Sequence, residues 1–167
     1  MTALARGALL LLLLLLPGCA TLGQVIQPPV FRVAEDRPEE LRLLGPGVGR
    51  PLGGAAIRLY ARVSNPNPLG MTLSTIRGGL LLEGQQAAQV DFPLGVPLQA
   101  GGEQVIPLDI SVSFDDIPSL GSVLLRAVTG QSIAYRLNGT VGVDAGVLGQ
   151  PSFGPMTLLQ GDVRVTR

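Results

Sequence analysis

The sequence predicts a mainly β protein, an antiparallel β-sandwich of about seven short strands with one helix. Three observations carry this. Apolar residues recur at every second position in several segments, the signature of half-buried strands. Turn residues separate those segments, and the chain holds 23 glycines and 14 prolines among its 167 residues. One stretch, after Asp115, instead has the three-and-four spacing of a helix. Many short strands with frequent turns favour a sandwich.

The amino terminus is of a different kind. Arg6 is the only charge before an unbroken apolar run from Ala8 to Leu16, followed by Pro17, Gly18 and Cys19. A positive start, an apolar stretch of roughly 7–15 residues and a small residue before the cut describe a secretory signal. The run is far short of the ~20 residues needed to span a bilayer. The quartet Leu16-Pro17-Gly18-Cys19 resembles the lipobox of bacterial lipoproteins. In that family the cysteine receives a diacylglyceryl group, the signal is cut before it, and the new amino terminus is acylated. The alternative is an ordinary secretory signal that contains a cysteine, but Cys19 is the only cysteine in the chain. The expected division is therefore residues 1–18 as signal peptide, 19–30 as lipidated Cys19 and tether, and 31–167 as the folded domain. Several buried acyl chains, at ~0.8 kcal/mol per CH₂, would make the anchor stable. No aspartate follows Cys19, so the resemblance implies the outer membrane, facing the periplasm, wherever the cell has two membranes. A lone cysteine forms no internal disulfide, so the domain must be held by packing.

The domain length fits a single core, with roughly 70% of the unfolded surface buried. Twelve basic residues, all arginine, balance 12 acidic ones. No block of like charge forms a footprint for nucleic acid.

Phe31 to Val33 and Leu41 to Leu44 read as strand pieces around the charged turn Glu35-Asp36-Arg37-Pro38-Glu39-Glu40, a solvated loop with arginines among its carboxylates. After a Gly/Pro loop from Gly45 to Gly54, Ile57, Leu59, Ala61 and Val63 alternate with Arg58, Tyr60 and Arg62. Ser64-Asn65-Pro66-Asn67-Pro68 ends that strand, because proline has no N–H for a ladder and asparagine bonds back to the main chain. Met71 to Leu82 is the next strand, and Ala88, Val90 and Phe92 alternate along another. Keeping Leu82 on the side of Ala88, and Leu80 on that of Val90, calls for a three-residue loop, Gly84-Gln85-Gln86. Ile106, Leu108, Ile110, Val112 and Phe114 mark a further strand.

For the helix, Asp115 or Asp116 is the expected N-cap, Pro118 falls in the first turn, and Gly130 is the stop. Ile117, Leu120, Leu124, Ala127 and Val128 make its apolar face. Then Ile133, Tyr135, Leu137, Gly139, Val141 and Val143 alternate. A hairpin at Asn138-Gly139 would throw Val141 and Val143 to the wrong side, so one strand kinked at Gly139 is expected. Met156 to Leu159 and Val163 to Val165 read as one interrupted last strand.

The strand ending in Arg62-Val63-Ser64-Asn65-Pro66-Asn67-Pro68 resembles the signature of the group 2 late embryogenesis abundant proteins, the water stress and hypersensitive response domain. A hairpin with a glycine turn at Gly84, a long alternating strand, a helix, and a Tyr-x-x-x-Gly-Thr element at Tyr135, Gly139 and Thr140 follow in the same order. The resemblance spans roughly Phe31 to Val165. It implies an immunoglobulin- or fibronectin-like sandwich and a role in protection against desiccation, cold or osmotic stress.

Catalytic chemistry finds little footing. There is no histidine or lysine to activate a nucleophile. Asp115-Asp116, the one adjacent aspartate pair, is better explained by capping. Zinc ligation by His and Cys is excluded, no glycine run continues into a phosphate loop, and no cofactor is implied. The expectation is a non-catalytic, lipid-anchored stress-protection domain of the cell envelope, whose partners are the membrane and envelope proteins or lipids. The alternatives are a lipid- or amphiphile-binding module, hinted at by Leu80-Leu81-Leu82 and Val123-Leu124-Leu125, and an envelope assembly scaffold that pairs through a strand edge.

Overall fold

The structure, a computed structural model, describes residues 26–115 and 121–165. Cys19, Asp116, Ile117, Pro118 and Leu120 lie outside them. Eight strands form two antiparallel sheets: β1 (Val30–Val33), β2 (Glu40–Leu44), β3 (Gly54–Ser64), β4 (Met71–Leu82), β5 (Gln85–Leu98), β6 (Glu103–Ser113), β7 (Ile133–Asp144) and β8 (Ser152–Val163). Among the described residues one α-helix, α1 (Gly121–Val128), precedes β7. The expected mainly β sandwich is the observed one.

In the first sheet β3 is central. β6 pairs along its whole length, from Gly54↔Ser113 to Ser64↔Glu103. β1 and β2 therefore share the other edge end to end, β1 against residues 61–64 and β2 against residues 54–58. The charged turn between them interrupts what would otherwise be one edge strand. The second sheet runs β5-β4-β7-β8.

The core lies between the sheets, and the period-two patterns account for it. Ile57, Leu59, Ala61 and Val63 of β3, with Ile106, Leu108, Ile110 and Val112 of β6, meet Leu73, Ile76 and Leu80 of β4 and Leu137 and Val141 of β7. Each large apolar side chain withdrawn from water contributes about 1.5–3 kcal/mol. β7 is continuous through Asn138 and Gly139, and Tyr135, Leu137, Val141 and Val143 are all buried on one side, as parity required.

Gly139 sits opposite Gly78 of β4, and a Cβ on Gly78 would lie 1.9 Å from the Asn138 carbonyl oxygen. Only glycine allows the two backbones to approach this closely. The pairing of β7 with β8 is irregular on both sides of this point.

Three expectations need correction. The β4–β5 hairpin has a two-residue turn, Glu83-Gly84, both with positive φ (49° and 79°), and not the loop Gly84-Gln85-Gln86. This is the turn whose twist matches that of paired strands. The odd residue that parity demanded is supplied by a bulge instead: Leu81 pairs with Gln86 and Leu80 with Ala88, which leaves Ala87 unmatched.

The described helix begins at Gly121, and of the two expected caps only Asp115 lies among the described residues. Its carboxylate accepts the Leu52 N–H at 3.1 Å and the Ser113 hydroxyl at 3.1 Å, tying down the Gly/Pro loop. Val128 is exposed and off the apolar face of α1, which buries Val123 and Ala127. The last strand starts earlier than expected, at Ser152, and Val165 reaches across to bridge Leu41 of β2.

The stop at Gly130 is as expected. Gln131 N–H bonds to Arg126 O at 3.0 Å and Gly130 N–H to Ala127 O at 3.1 Å, a Schellman closure.

Candidate functional site: the asparagine clamp and the lateral groove

Where β3 ends, Pro66 and Pro68 bring no N–H to continue a ladder, so the chain turns away and leaves carbonyls behind it. Asn65 takes them. Its side-chain amide donates to Leu69 O at 2.8 Å and Gln99 O at 3.0 Å, with a longer approach of 3.4 Å to Leu98 O. Its Oδ1 accepts both the Asn67 N–H and the Asn67 side-chain amide at 3.0 Å. Asn67 then treats Gln27 as a strand neighbour would: Gln27 N–H donates to Asn67 Oδ1 at 2.7 Å, and Asn67 Nδ2 donates to Gln27 O at 2.9 Å. Backbone bonds from Asn65 N–H to Gly102 O (2.9 Å) and from Gly101 N–H to Asn67 O (3.0 Å) complete the knot.

Asn65 and Asn67 are 1% and 2% exposed, and no buried side-chain polar atom among the described residues lacks a partner. A fully satisfied buried network of this kind specifies one arrangement of the loops it joins. The motif Asn65-Pro66-Asn67 is thus a clamp that ties the β3–β4 loop, the β5–β6 loop and the incoming chain together.

Tyr135 lies elsewhere, near the other end of β7 opposite Leu82. Its ring is buried, and its hydroxyl donates to Glu39 Oε1 in the charged turn at 2.8 Å, linking the two sheets. Burial, then the hydrogen bond to the Glu39 carboxylate, pushes the phenol above its usual range. Gly139 and Thr140 sit mid-strand, Thr140 opposite Arg77. The structure therefore distributes Asn65, Pro66, Asn67, Tyr135, Gly139 and Thr140 over the sandwich and does not gather them into one pocket. Gln27 and Glu39 are the partners that sequence reasoning missed. They stand 40 and 96 residues from the groups they meet, and nothing local marks them.

The charged turn is paired with the strands beside it. Asp36 and Glu103 both accept from Arg62, Glu40 accepts from Arg42 at 2.8 Å, and Arg37 lies 5.6 Å from the centre of the Tyr60 ring. Its backbone hydrogen bond, and then Arg62, hold the Asp36 carboxyl below the usual range.

A groove of about 870 Å³ opens at the side of the sandwich between β1 and β8. Phe31, Val33 and Leu158 supply apolar walls, and Arg32, Asp36 and Gln160 are polar. Proline interrupts the edge strands β5 (Pro93 and Pro97), β6 (Pro107) and the start of β8 (Pro155), whereas β1 and the stretch Thr157 to Gln160 of β8, which line the groove, have none. Proline on an edge strand blocks pairing with another chain, so Thr157 to Gln160 is a stretch of β8 that no proline closes to it.

A family model described as late embryogenesis abundant protein (LEA_2) matches residues 60–157. It thus takes in the clamp, the hairpin, the helix and all of β7. Among solved structures, the chain is similar to a protein from Arabidopsis thaliana in solution, with 18% identity, a TM-score of 0.58, and coverage of 84% of this chain and 83% of that one. It is also similar to a solution structure described as a late embryogenesis abundant protein, with 19% identity, a TM-score of 0.54, and coverage of 87% and 75%. At these identities the likeness speaks for the fold. A search of curated protein sequences returns no significant match. The family model covers more than half of the chain, and the protein belongs to the late embryogenesis abundant group 2 family.

Proposed function

We propose that this protein is a lipid-anchored, non-catalytic member of the cell envelope whose sandwich protects neighbouring membranes or proteins during desiccation and osmotic stress. The observation that carries the stress role is the family match over residues 60–157. Anchoring rests on the Leu16-to-Cys19 quartet, and on the clamp that holds Gln27, close in sequence to Cys19, against the domain. The absence of histidine and lysine, and the engagement of Asp36 by Arg62, Glu39 by Tyr135 and Glu40 by Arg42, support a role without catalysis. Protection of this kind acts through a stable folded surface at high local concentration, which a membrane anchor provides.

The test is drying. The purified protein, dried with a labile reporter enzyme and separately with vesicles, should preserve one or both better than an equal mass of an inert protein. Equal losses in both would overturn the protective role. Intact-mass measurement of protein from the membrane fraction reads the lipid on Cys19 independently.

The lateral groove supports a second reading, in which an extended segment of an envelope partner adds a strand beside Thr157 to Gln160. Recovery of one stoichiometric partner, with new hydrogen-exchange protection confined to that segment, would favour it.

A further inference from the structure

Three loops and the entering chain meet at one end of the sandwich. The strand registers place them there: Val30 and Glu103 both lie opposite Ser64, Met71 opposite Leu98, and Thr72 opposite Asp144. None of residues 26–30, 65–70, 98–102 and 145–151 is charged. The nearest acids are occupied. Glu103 accepts from Arg62 at 2.6 Å, and Asp144 accepts the Gly146 N–H at 2.8 Å and the Gln150 side chain at 3.2 Å. Four segments distant in sequence thus build one uncharged surface.

On it, the short 3-10 turn Gly146–Leu148 presents Val147, fully exposed at 103%, beside exposed Leu148. Bonds from Ala145 N–H to Gly149 O (2.9 Å) and from Gly149 N–H to Gly146 O (3.0 Å) hold the turn in shape.

Exposure alone does not single out this end, since Val48 (106%), Leu52 and Leu125 are exposed at the opposite one. Those residues share their surface with Arg50, Glu83, Asp115 and Arg126. Moving such charges toward hydrocarbon is costly, whereas uncharged loops carrying apolar tips enter the interface readily. Chain geometry points the same way. Cys19 precedes Ile26 by seven residues, which span at most about 25 Å when fully extended. The clamp on Gln27 fixes where that span begins.

We infer that the uncharged end is a membrane-docking face, which lies against the bilayer with Val147 and Leu148 in the interfacial layer. This rests on the anchor reading above. With no cation on this face, it fits a neutral, zwitterionic lipid surface, and the contact is insensitive to salt.

The experiment uses the full lipidated chain with Val147→Cys, whose thiol carries an environment-sensitive fluorophore, and a second protein labelled through Val48→Cys. Both are reconstituted into phosphatidylcholine vesicles with and without brominated acyl chains. The probe at position 147 should shift to the blue and lose emission to the brominated lipid, equally at low and high salt, while the probe at position 48 does neither. Equal responses at the two positions, or none, with acylated Cys19 in the mass spectrum, overturn the docking face and leave the anchor standing. A response at position 147 that follows protein density and ignores bromine means that a second copy covers this end, and overturns it too. A Cys19 without lipid overturns the anchor reading and, with it, this inference.

Discussion

The two ends of the sandwich are built on opposite principles. The end that receives the chain at Gln27 is closed by two buried asparagines whose amides take up the backbone groups of three segments. The other end is closed by contacts nearer to water: Asp115 on Leu52, Glu83 on Ala134 and Arg126, and Tyr135 on Glu39. Hydrogen bonds made in low dielectric are strong, and costly to leave half-made. Exposed ones exchange with water at little net gain. The clamped end should therefore behave as a rigid unit, while the far end tolerates change.

Substitution at the clamp should have the largest effect. Asn65→Ala takes the amide donor from Leu69 O and Gln99 O and the acceptor from the Asn67 N–H, and should lower unfolding free energy by about 3 kcal/mol in urea titration. A loss below about 1 kcal/mol would mean that water replaces the amide and that the two ends do not differ in kind.

Asn67→Ala leaves the Asn65 bonds to Leu69 and Gln99 in place and frees Gln27. It should cost about 2 kcal/mol and raise the hydrogen-exchange rate of the Gln27 amide, with the far end unchanged. If exchange rose at Ala134 as well, the ends would be coupled.

Tyr135→Phe removes the bond to Glu39 and should cost about 1 kcal/mol at neutral pH. It has a second signature, because the folded protein holds the phenol above its ordinary range. A raised pKa contributes stability that is fully present below the unfolded value and lost as pH rises through the folded one. The parent should thus lose stability from about pH 10 upward, and Tyr135→Phe should flatten that alkaline limb.

The smallest effect belongs to Asp115→Ala, which releases the exposed Leu52 N–H and should cost about 0.5 kcal/mol. A loss as large as that at Asn67 would place a hidden structural role in the Gly/Pro loop.

The strands and their inward faces were legible in the sequence. Ile57, Leu59, Ala61 and Val63, or Tyr135, Leu137, Val141 and Val143, declare their side by a period that depends on nothing beyond neighbouring residues. The continuity of β7 through Asn138-Gly139 followed from the same parity. At the β4–β5 hairpin parity was right in its count and silent on the means: an odd residue was required, and a bulge at Ala87 supplied it where a three-residue loop was expected. The helix stop at Gly130 was local and legible. The role of Asp115 was not, because capping chemistry and a bond to a loop 63 residues away ask for the same carboxylate.

By itself, then, the sequence determined the mainly β class, the inward face of each long strand, the exit at Asn65-Pro66-Asn67, and the order of pieces that places the chain in its family. Those features arise from side-chain alternation and backbone restriction, which act over a few residues. The tertiary structure alone decided what the asparagines hold, that Tyr135 meets Glu39, and that four uncharged segments form one end. Each of these depends on which loops the strand registers bring together, and register is settled by burying two sheets against each other rather than by any segment alone.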